Sequence, residues 1–379
     1  MDLATYLFYG CLVLGLYSYF LYPLLLLAVP ARNRQAVPAG GELPRLSLIV
    51  TAHNEQERIR DKLENSLALD YPADRLEIIV ASDCSTDATD AIVQSLAARG
   101  VRLVRAGERK GKEYAQWCAL QAARGDIMVF SDAATRIPAD ALRRLARRFD
   151  DPAIGAVSSE DRFISQDGRL AGEGAYVRYE MWLRRLESAR AGLVGLSGSF
   201  FAARHELCAD WDIHSPSDFN TALNCAKAGR YAVTCPEVVG IYGDVQDPAL
   251  EYRRKLRTVI RGITAVARHP EVLNPLRLGF FACQVWSHKI LRWGVPWFML
   301  GFAIATMLLI DAGPVYRGAA AAQVLFYLVA LGGFLSARSR DNALVRIVFF
   351  FVQTNLALAH AALLFLLGRR MTVWTPSKR

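Results

Sequence analysis

Two stretches of this sequence decide its fold: Ile78-Ile79-Val80-Ala81-Ser82-Asp83 and Ile127-Met128-Val129-Phe130-Ser131-Asp132. Each is a short, continuously apolar run, which is typical of a strand that is buried on both faces of a parallel sheet. Each run ends in an aspartate. Ligands of open α/β sheets bind beyond the carboxyl ends of the strands. The two carboxylates therefore predict one site at that edge, suited to a nucleotide and a metal ion.

Strand-like and helix-like segments alternate around these two runs. The predicted strands are Leu46–Ala52, Leu76–Ser82, Val101–Val104, Asp126–Ser131 and Ile154–Ser158. The predicted helices between them include Glu55–Ala68 and Thr86–Ala98. Alternation of this kind predicts a parallel, doubly wound α/β sheet with right-handed crossovers.

The composition points to a membrane. Of the 379 residues, 53% are hydrophobic, and the net charge of +9 is compatible with an anionic membrane surface or phosphate-rich substrates. Four apolar segments are long enough, at about 20 residues, to span a bilayer. They are Tyr6–Val29, Gly294–Ile310, Ala320–Ser336 and Ile347–Leu367. We expect isolated, reduced thiols from the seven cysteines, because none shows metal-ligand spacing.

Charges near these segments predict their orientation. Arg32 and Arg34 follow the first span, so the positive-inside rule places the next domain in the cytoplasm. A cleaved signal peptide is not expected, because no basic region precedes this span. Leu276–Trp293 is apolar but contains charged residues, so we expect an interfacial or re-entrant segment there. Glu173–Arg190 and Glu251–Arg268 are basic and amphipathic, which predicts interfacial helices or ordinary surface helices.

Polar residues follow the first predicted strand at once. Thr51, His53, Asn54 and Glu55 stand where backbone amides can meet a phosphate or a base edge, although Asn54 could simply cap a helix. Three further donor-site candidates are Asp83, for a uracil or ribose, Lys112, for phosphates, and Ser131, beside Asp132.

In their order and spacing these residues resemble the membrane-embedded family 2 glycosyltransferases of GT-A fold. That group contains the cellulose, hyaluronan and poly-N-acetylglucosamine synthases and ceramide glucosyltransferase. The resemblance covers roughly residues 43–265 and the flanking spans. It implies an inverting transfer from a nucleotide sugar, expected to be a UDP-sugar, with Mg²⁺ or Mn²⁺.

The resemblance also implies roles for individual residues. Asp83 matches the first family aspartate, and Asp132, as the first residue of the DxD motif, would hold the metal. Ser197, Gly198 and Ser199 are similar to the segment that lines the acceptor. Asp218 occupies the position of the catalytic base, with helix capping before Thr221–Ala228 as its alternative role.

Three positions depart from the family pattern. Ala134 stands in place of the second DxD aspartate. In the QxxRW-type motif, whose residues Arg254 and Arg257 would grip the donor pyrophosphate, Thr258 replaces the tryptophan and Arg254 replaces the glutamine. Contact with lipid headgroups is the alternative role of this basic helix. The missing tryptophan favours a single transfer over processive polymer synthesis.

The expected protein is therefore a multi-pass enzyme of the inner or plasma membrane, with its catalytic domain in the cytoplasm. Its expected partners are a nucleotide-sugar donor, a lipid-linked or polysaccharide acceptor, membrane lipids and, potentially, export or synthase subunits, but no nucleic acid. The alternatives are a processive polysaccharide synthase subunit, an inactive nucleotide-sugar-binding scaffold and a membrane nucleotidyltransferase. The last should carry a glycine-rich activation loop, which the sequence lacks. The chain is expected to divide into a first span (1–30), a linker (31–44), the GT-A domain (45–248), interfacial helices (249–293), further spans (294–368) and a tail (369–379).

Overall fold

The computed structural model describes residues 2–32, 41–164, 174–243 and 248–371. Its strands are β1 Leu46–Ala52, β2 Leu76–Ser82, β3 Val101–Arg105, β4 Ile127–Asp132, β5 Ile154–Ile164, β6 Phe200–Arg204 and β7 Tyr231–Gly243. Its helices are α1 Leu3–Leu16, α2 Tyr22–Ala28, α3 Ile59–Leu67, α4 Thr89–Gln94, α5 Lys112–Ala122, α6 Ala141–Arg148, α7 Gly174–Ser188, α8 Ser217–Lys227, α9 Pro248–Arg268, α10 Pro275–Leu278, α11 Phe280–Val285, α12 Leu291–Leu308, α13 Pro314–Leu335 and α14 Ala343–Leu366. Most of the predicted linker and tail lies outside the described residues.

The chain forms two compact units. Of the described residues, 29–32, 41–164, 174–243 and 264–282 belong to the α/β unit, and 2–28, 248–263 and 283–370 belong to the helical unit. The boundary therefore falls within α9, whose first part belongs to the helical unit. The predicted domain limits remain predictions.

The α/β unit is built on a seven-stranded sheet in the order β3-β2-β1-β4-β6-β5-β7. The first four predicted strands are confirmed to within a residue or so, and β1 and β2 match their predicted limits. The prediction of an all-parallel sheet is wrong, because β6 runs antiparallel between β4 and β5. Neither β6 nor β7 was predicted, so the observed sheet is mixed.

Both faces of the sheet are covered, as its apolar runs predict. Leu48 and Val50 join a core on one face with residues of α3, α4 and α6. Ile49 points to the other face and joins residues of α5 and α8. Alternate side chains of one strand thus enter two cores, which explains why the strand sequence is continuously apolar rather than alternating.

The helical unit holds the long apolar helices. Four helices are long and apolar enough to cross a membrane: Leu3–Ala28, Phe280–Leu308, Pro314–Leu335 and Ala343–Leu366. The predicted number of spans is therefore confirmed for the described residues. The structure joins most of the lead-in segment predicted at Leu276–Trp293 to the second candidate span, because one helix runs from Phe280 to Leu308. His288 and Lys289 lie in a π-helical turn, Trp286–Ile290, within that helix. The interfacial or re-entrant placement of the segment remains a prediction.

The first part of α9 packs within the helical unit. Lys255 donates a hydrogen bond to Thr354 of α14, 3.1 Å away, and the Tyr252 hydroxyl lies 3.1 Å from His360 Nδ1. The interfacial placement predicted for α7 and α9 remains a prediction.

Candidate functional site

The carboxyl ends of β1, β2 and β4 meet at one edge of the α/β unit. In the strand register, Thr51 of β1 lies between Ala81 of β2 and Asp132 of β4. Thr51 is buried, and its hydroxyl has no hydrogen-bond partner among the described residues. This edge therefore presents an unsatisfied polar group beside both predicted carboxylates.

The buried Asp83 carboxylate has a hydrogen-bond partner for only one of its two oxygens in the described structure. Its side chain is 0% exposed, and one carboxylate oxygen accepts a hydrogen bond from the Gly111 amide at 3.1 Å. Gly111 has φ +102°, which strongly favours glycine at this position. The other oxygen, Oδ2, is buried without a partner in the described structure. A buried orphan acceptor of this kind costs about 1–3 kcal/mol, which a bound N–H donor would relieve.

The loop after β1 locks onto the loop after β2. His53 Nδ1 lies 2.7 Å from the Asp83 carbonyl oxygen, and Asn54 accepts a hydrogen bond from the Thr86 amide at 2.8 Å. Asn54 does not cap α3, which begins at Ile59, so that alternative is wrong. Asn54 and Cys84 both have φ +53°, a strained conformation for non-glycine residues that often marks functional loops.

Glu55 belongs to the same loop. Its amide donates to Thr89 Oγ1 at 2.8 Å, and its side chain is buried. Burial raises the pKa of Glu55; Arg58 opposes this shift, and the negative charge of Asp132 adds to it. The described contacts of His53, Asn54 and Glu55 join the loops after β1 and β2, and the binding of a donor by these residues remains a prediction.

Asp132 is engaged by a lysine on α5. Lys112 Nζ lies 2.5 Å from Asp132 Oδ1 and donates a second hydrogen bond to the Gly198 carbonyl oxygen at 2.8 Å. The Asp132 amide donates to the Ser199 carbonyl at 3.0 Å. Asp132 is the last residue of β4, whereas the predicted strand ends one residue earlier, at Ser131. The structure thus brings three predicted site elements together around a single ammonium group.

A second lysine, not predicted, lies beneath this point. Lys62 of α3 is buried and donates to Ser131 Oγ and to the Thr135 carbonyl, each at 2.7 Å. Burial lowers its pKa to about 7, and the negative charge of Asp132 opposes that shift. Lys62 shares the buried face of α3 with Ile59 and Leu63. Its helical spacing from these apolar residues is the feature of the sequence that could have predicted its burial.

The segment from Ser197 to Ser199 is the hub of the site. Asp161 Oδ1 accepts hydrogen bonds from Ser197 Oγ at 2.5 Å and from Ser199 Oγ at 3.0 Å. Asp218 faces Gly198 from the other side, since a Cβ added at Gly198 would lie 3.3 Å from Asp218 Oδ2. The carboxylates of Asp161 and Asp218 therefore lie close to this tripeptide, and Asp132 contacts it through its backbone amide.

Asp218 lies within the first turn of α8, which begins at Ser217. The helix predicted at Thr221–Ala228 therefore starts earlier, and its N-cap position is Pro216. The alternative role of Asp218 as the N-cap of this helix is therefore wrong. A carboxylate in the first turn interacts favourably with the helix dipole.

Asp132 can coordinate a divalent cation only if a bound substrate supplies further oxygen ligands to the metal. Among the described residues no cluster of three or more His, Cys, Asp or Glu side chains could hold a metal. Ala134 contributes no carboxylate, and Lys112 already neutralises one oxygen of Asp132. Mg²⁺ is commonly bound by one or two carboxylates with substrate phosphates, and Asp132 can serve in that way.

Arg254 and Arg257 lie on the part of α9 that belongs to the helical unit. Each has at least one interaction partner. Their grip on a donor pyrophosphate remains a prediction.

Comparison with known proteins finds a family match for part of the α/β unit. Residues 47–211 match the family described as Glycosyl transferase family 2. The chain is 32% identical over 173 residues to a beta-monoglucosyldiacylglycerol synthase of Synechocystis sp., covering 44% of this chain and 36% of that protein. It is 27% identical over 179 residues to a poly-beta-1,6-N-acetyl-D-glucosamine synthase of Staphylococcus aureus, covering 45% of this chain and 43% of that protein. The chain thus spans less than half the length of these two relatives.

One solved structure matches nearly the whole chain. It is the mannosyltransferase PcManGT from Pyrobaculum calidifontis in complex with GDP-Man and Mn²⁺, with a TM-score of 0.75 and 25% sequence identity. The match covers 97% of this chain and 100% of that one. The GT-A fold expected from the sequence is therefore confirmed.

Proposed function

Because the chain carries a glycosyltransferase family 2 domain, we propose that it transfers a sugar from a nucleotide sugar to a lipid-linked acceptor. The observation that supports this most is the arrangement at one sheet edge. Asp83 offers a buried, unpaired carboxylate oxygen to a base, and the segment Ser197–Ser199 lies among Asp132, Asp161 and Asp218. The first feature suits nucleotide recognition, and the second suits proton transfer beside a developing anion.

The donor is proposed to be a UDP-sugar. The Asp83 oxygen Oδ2 has no partner in the described residues, and the imide N–H of uracil can donate a hydrogen bond to it. A GDP-sugar, as bound in PcManGT, is the alternative.

The reaction is proposed to be a single displacement with inversion. Asp218 accepts the proton of the acceptor hydroxyl as that oxygen attacks the anomeric carbon, and the bond to the nucleoside diphosphate breaks on the opposite face. The Lys112 ammonium, at Asp132, stabilises the negative charge that develops on the leaving diphosphate. A divalent cation held by Asp132 and the donor's phosphates would supply further Lewis-acid stabilisation of that charge.

The acceptor class is proposed from the relatives and the sequence. The glycolipid synthase among the relatives and Thr258, in place of the family tryptophan, favour transfer to a lipid acceptor. The poly-N-acetylglucosamine synthase favours the alternative, a polysaccharide synthase subunit. Purified protein, incubated with a panel of radiolabelled UDP- and GDP-sugars and total membrane lipids, should yield an organic-soluble product of one added sugar. A product of many sugars would support the alternative, and no product with any donor would favour an inactive binding scaffold.

The proposed location is the inner or plasma membrane, with the α/β unit in the cytoplasm. The four long apolar helices and the arginines after the first span support it. A reporter fused after Arg34 should be cytoplasmic, and one placed within residues 311–319 should lie on the opposite side. Detection of both reporters on one side would contradict this topology.

A further inference from the structure

The α/β unit contains a cavity that the proposed reaction does not use. Its volume is about 460 Å³, and it lies at the amino ends of β5 and β7, where Tyr231 pairs with Ile154. The donor site is at the opposite, carboxyl, edge of the same sheet. A ligand bound in this cavity would therefore be distinct from the nucleotide sugar.

Four arginines line the cavity: Arg32, Arg190, Arg230 and Arg277. No carboxylate is among the lining residues. In the described part of the chain, Asp151 lies 3.9 Å from Arg32 and Glu206 lies 2.7 Å from Arg230, and neither acid lines the cavity. The lining itself therefore carries four guanidinium groups and no carboxylate, which makes it a positive surface.

Two of these arginines are fixed in place. The Arg32 guanidinium lies 4.0 Å from the centre of the Tyr231 ring, and its side chain is 12% exposed. Arg190 donates hydrogen bonds to the carbonyl oxygens of Val29 and Leu186 at 3.2 and 3.3 Å. Guanidinium groups oriented in this way are suited to recognise phosphate oxygens.

Arg277 differs from the other three. It is exposed, and no hydrogen bond or ion pair of its guanidinium is found in the described part of the chain. Its neighbour Leu276 is 96% exposed, an unusual position for leucine beside water. An unpaired cation next to a bare apolar side chain is the pattern of a segment at a membrane surface.

Chain connectivity supports that placement. The lining residues Val29 and Pro30 directly follow the first candidate span, and Phe280 and Phe281 begin the second. The lining thus combines basic residues with apolar residues that adjoin or begin two candidate spans along the chain. A phosphate-bearing lipid matches both features, since its headgroup is anionic and its glycerol and acyl carbons are apolar.

We propose that this arginine cavity binds the phosphate of an anionic membrane phospholipid, at a site separate from both donor and acceptor. Binding there ties the amino edge of the sheet to the cytoplasmic membrane surface. The proposal does not depend on the proposed sugar transfer.

The test uses the full-length protein in detergent, titrated with short-chain phosphatidylglycerol, short-chain phosphatidylcholine or inorganic phosphate. Native mass spectrometry measures the binding, and thermal unfolding provides a second readout. We expect phosphatidylglycerol to bind at least about tenfold more tightly than phosphatidylcholine. Each arginine removed should weaken binding by about fivefold, so Arg190→Gln with Arg277→Gln should cost about 25-fold. Arg124→Gln, an exposed arginine before β4 and outside the cavity, is the matched control and should bind like the wild type.

Three outcomes would overturn the proposal. The first is equal affinity for the two lipids. The second is an unchanged affinity of the double variant for phosphatidylglycerol. The third is an affinity for inorganic phosphate as high as that for phosphatidylglycerol. The last would assign the site to a soluble phosphate. If the double variant melts earlier than the wild type, the single variant Arg277→Gln decides, because its exposed side chain has no structural partner in the described chain. UDP binding by each variant checks that the donor edge is intact.

Discussion

Replacement of Asp83 by asparagine separates folding from nucleotide binding. The carboxylate is buried, one oxygen accepts from the Gly111 amide, and the other has no partner in the described residues. Asparagine can keep the first contact with its carbonyl oxygen. Its amide nitrogen then occupies the second position, so an acceptor becomes a donor at the point where the base would donate.

The expected magnitude follows from this contact. A hydrogen bond to a charged group contributes about 1.5–3 kcal/mol, so its loss should raise the Kd for UDP by about 10- to 150-fold. Stability should not fall, because the substitution removes a buried charge with an unsatisfied oxygen. The predicted variant therefore melts at or above the wild-type temperature but binds nucleotide poorly.

Isothermal titration with UDP and a thermal melt of the same preparation test both halves of this prediction. Asp126→Asn is the control, because it removes the same charge from an exposed position at the far end of β4. UDP affinity within twofold of the wild type in Asp83→Asn would refute the assignment of Asp83 to the base.

Three further predictions concern the surroundings of this contact. Asp132→Ala should abolish transfer and metal-dependent UDP binding; full wild-type activity in EDTA would contradict the metal role. Arg257→Lys keeps the charge but loses the two-pronged hydrogen bonds, so turnover should fall more than about tenfold if it holds pyrophosphate; little change would favour headgroup contact. Native Lys62, with a pKa of about 7, loses its proton well below the pH at which the unfolded chain does. Wild-type stability should therefore rise between pH 7 and 10 relative to Lys62→Met, by up to about 1.4 kcal/mol per pH unit. If the stability of the wild type and of Lys62→Met changed equally with pH over that range, Lys62 would not be buried as described.

The parts of the fold that could be predicted are those with a local signal. β1 and β2 are recognisable because strands covered on both faces are continuously apolar. β7 was missed because Pro236 and Glu237 interrupt its pattern. The register between β5 and β7 shifts at this point, where Ser159 pairs with Cys235 and Glu160 with Val239. Proline cannot donate to the ladder, so the strand continues only through an irregularity that period counting does not detect.

The missed strand β6 also explains what was missed in the site. Asp83 and Asp132 were predictable because they end their own strands. The meeting of Ser197–Ser199 with Asp132 and Asp161 depends on β6 lying between β4 and β5. That pairing is antiparallel and joins distant parts of the chain, so no local pattern encodes it. The burial of Lys62 was missed for a different reason. Lysine side chains are rarely buried, so a lysine is normally expected at the surface.

The central claim is that Asp218 takes the acceptor's proton, and Asp218→Asn tests it most directly. Asparagine keeps the shape of the first turn of α8 and loses a dipole interaction of about 0.3–1 kcal/mol, and we expect the protein to fold and bind UDP normally. General-base catalysis contributes about 10²- to 10⁴-fold, so the single-turnover transfer rate should fall at least a hundredfold. Asp210→Asn, a nearby acid whose side chain is 82% exposed, should transfer at the wild-type rate. Near-normal transfer by Asp218→Asn would contradict the account and move the base to Asp161 or Glu160.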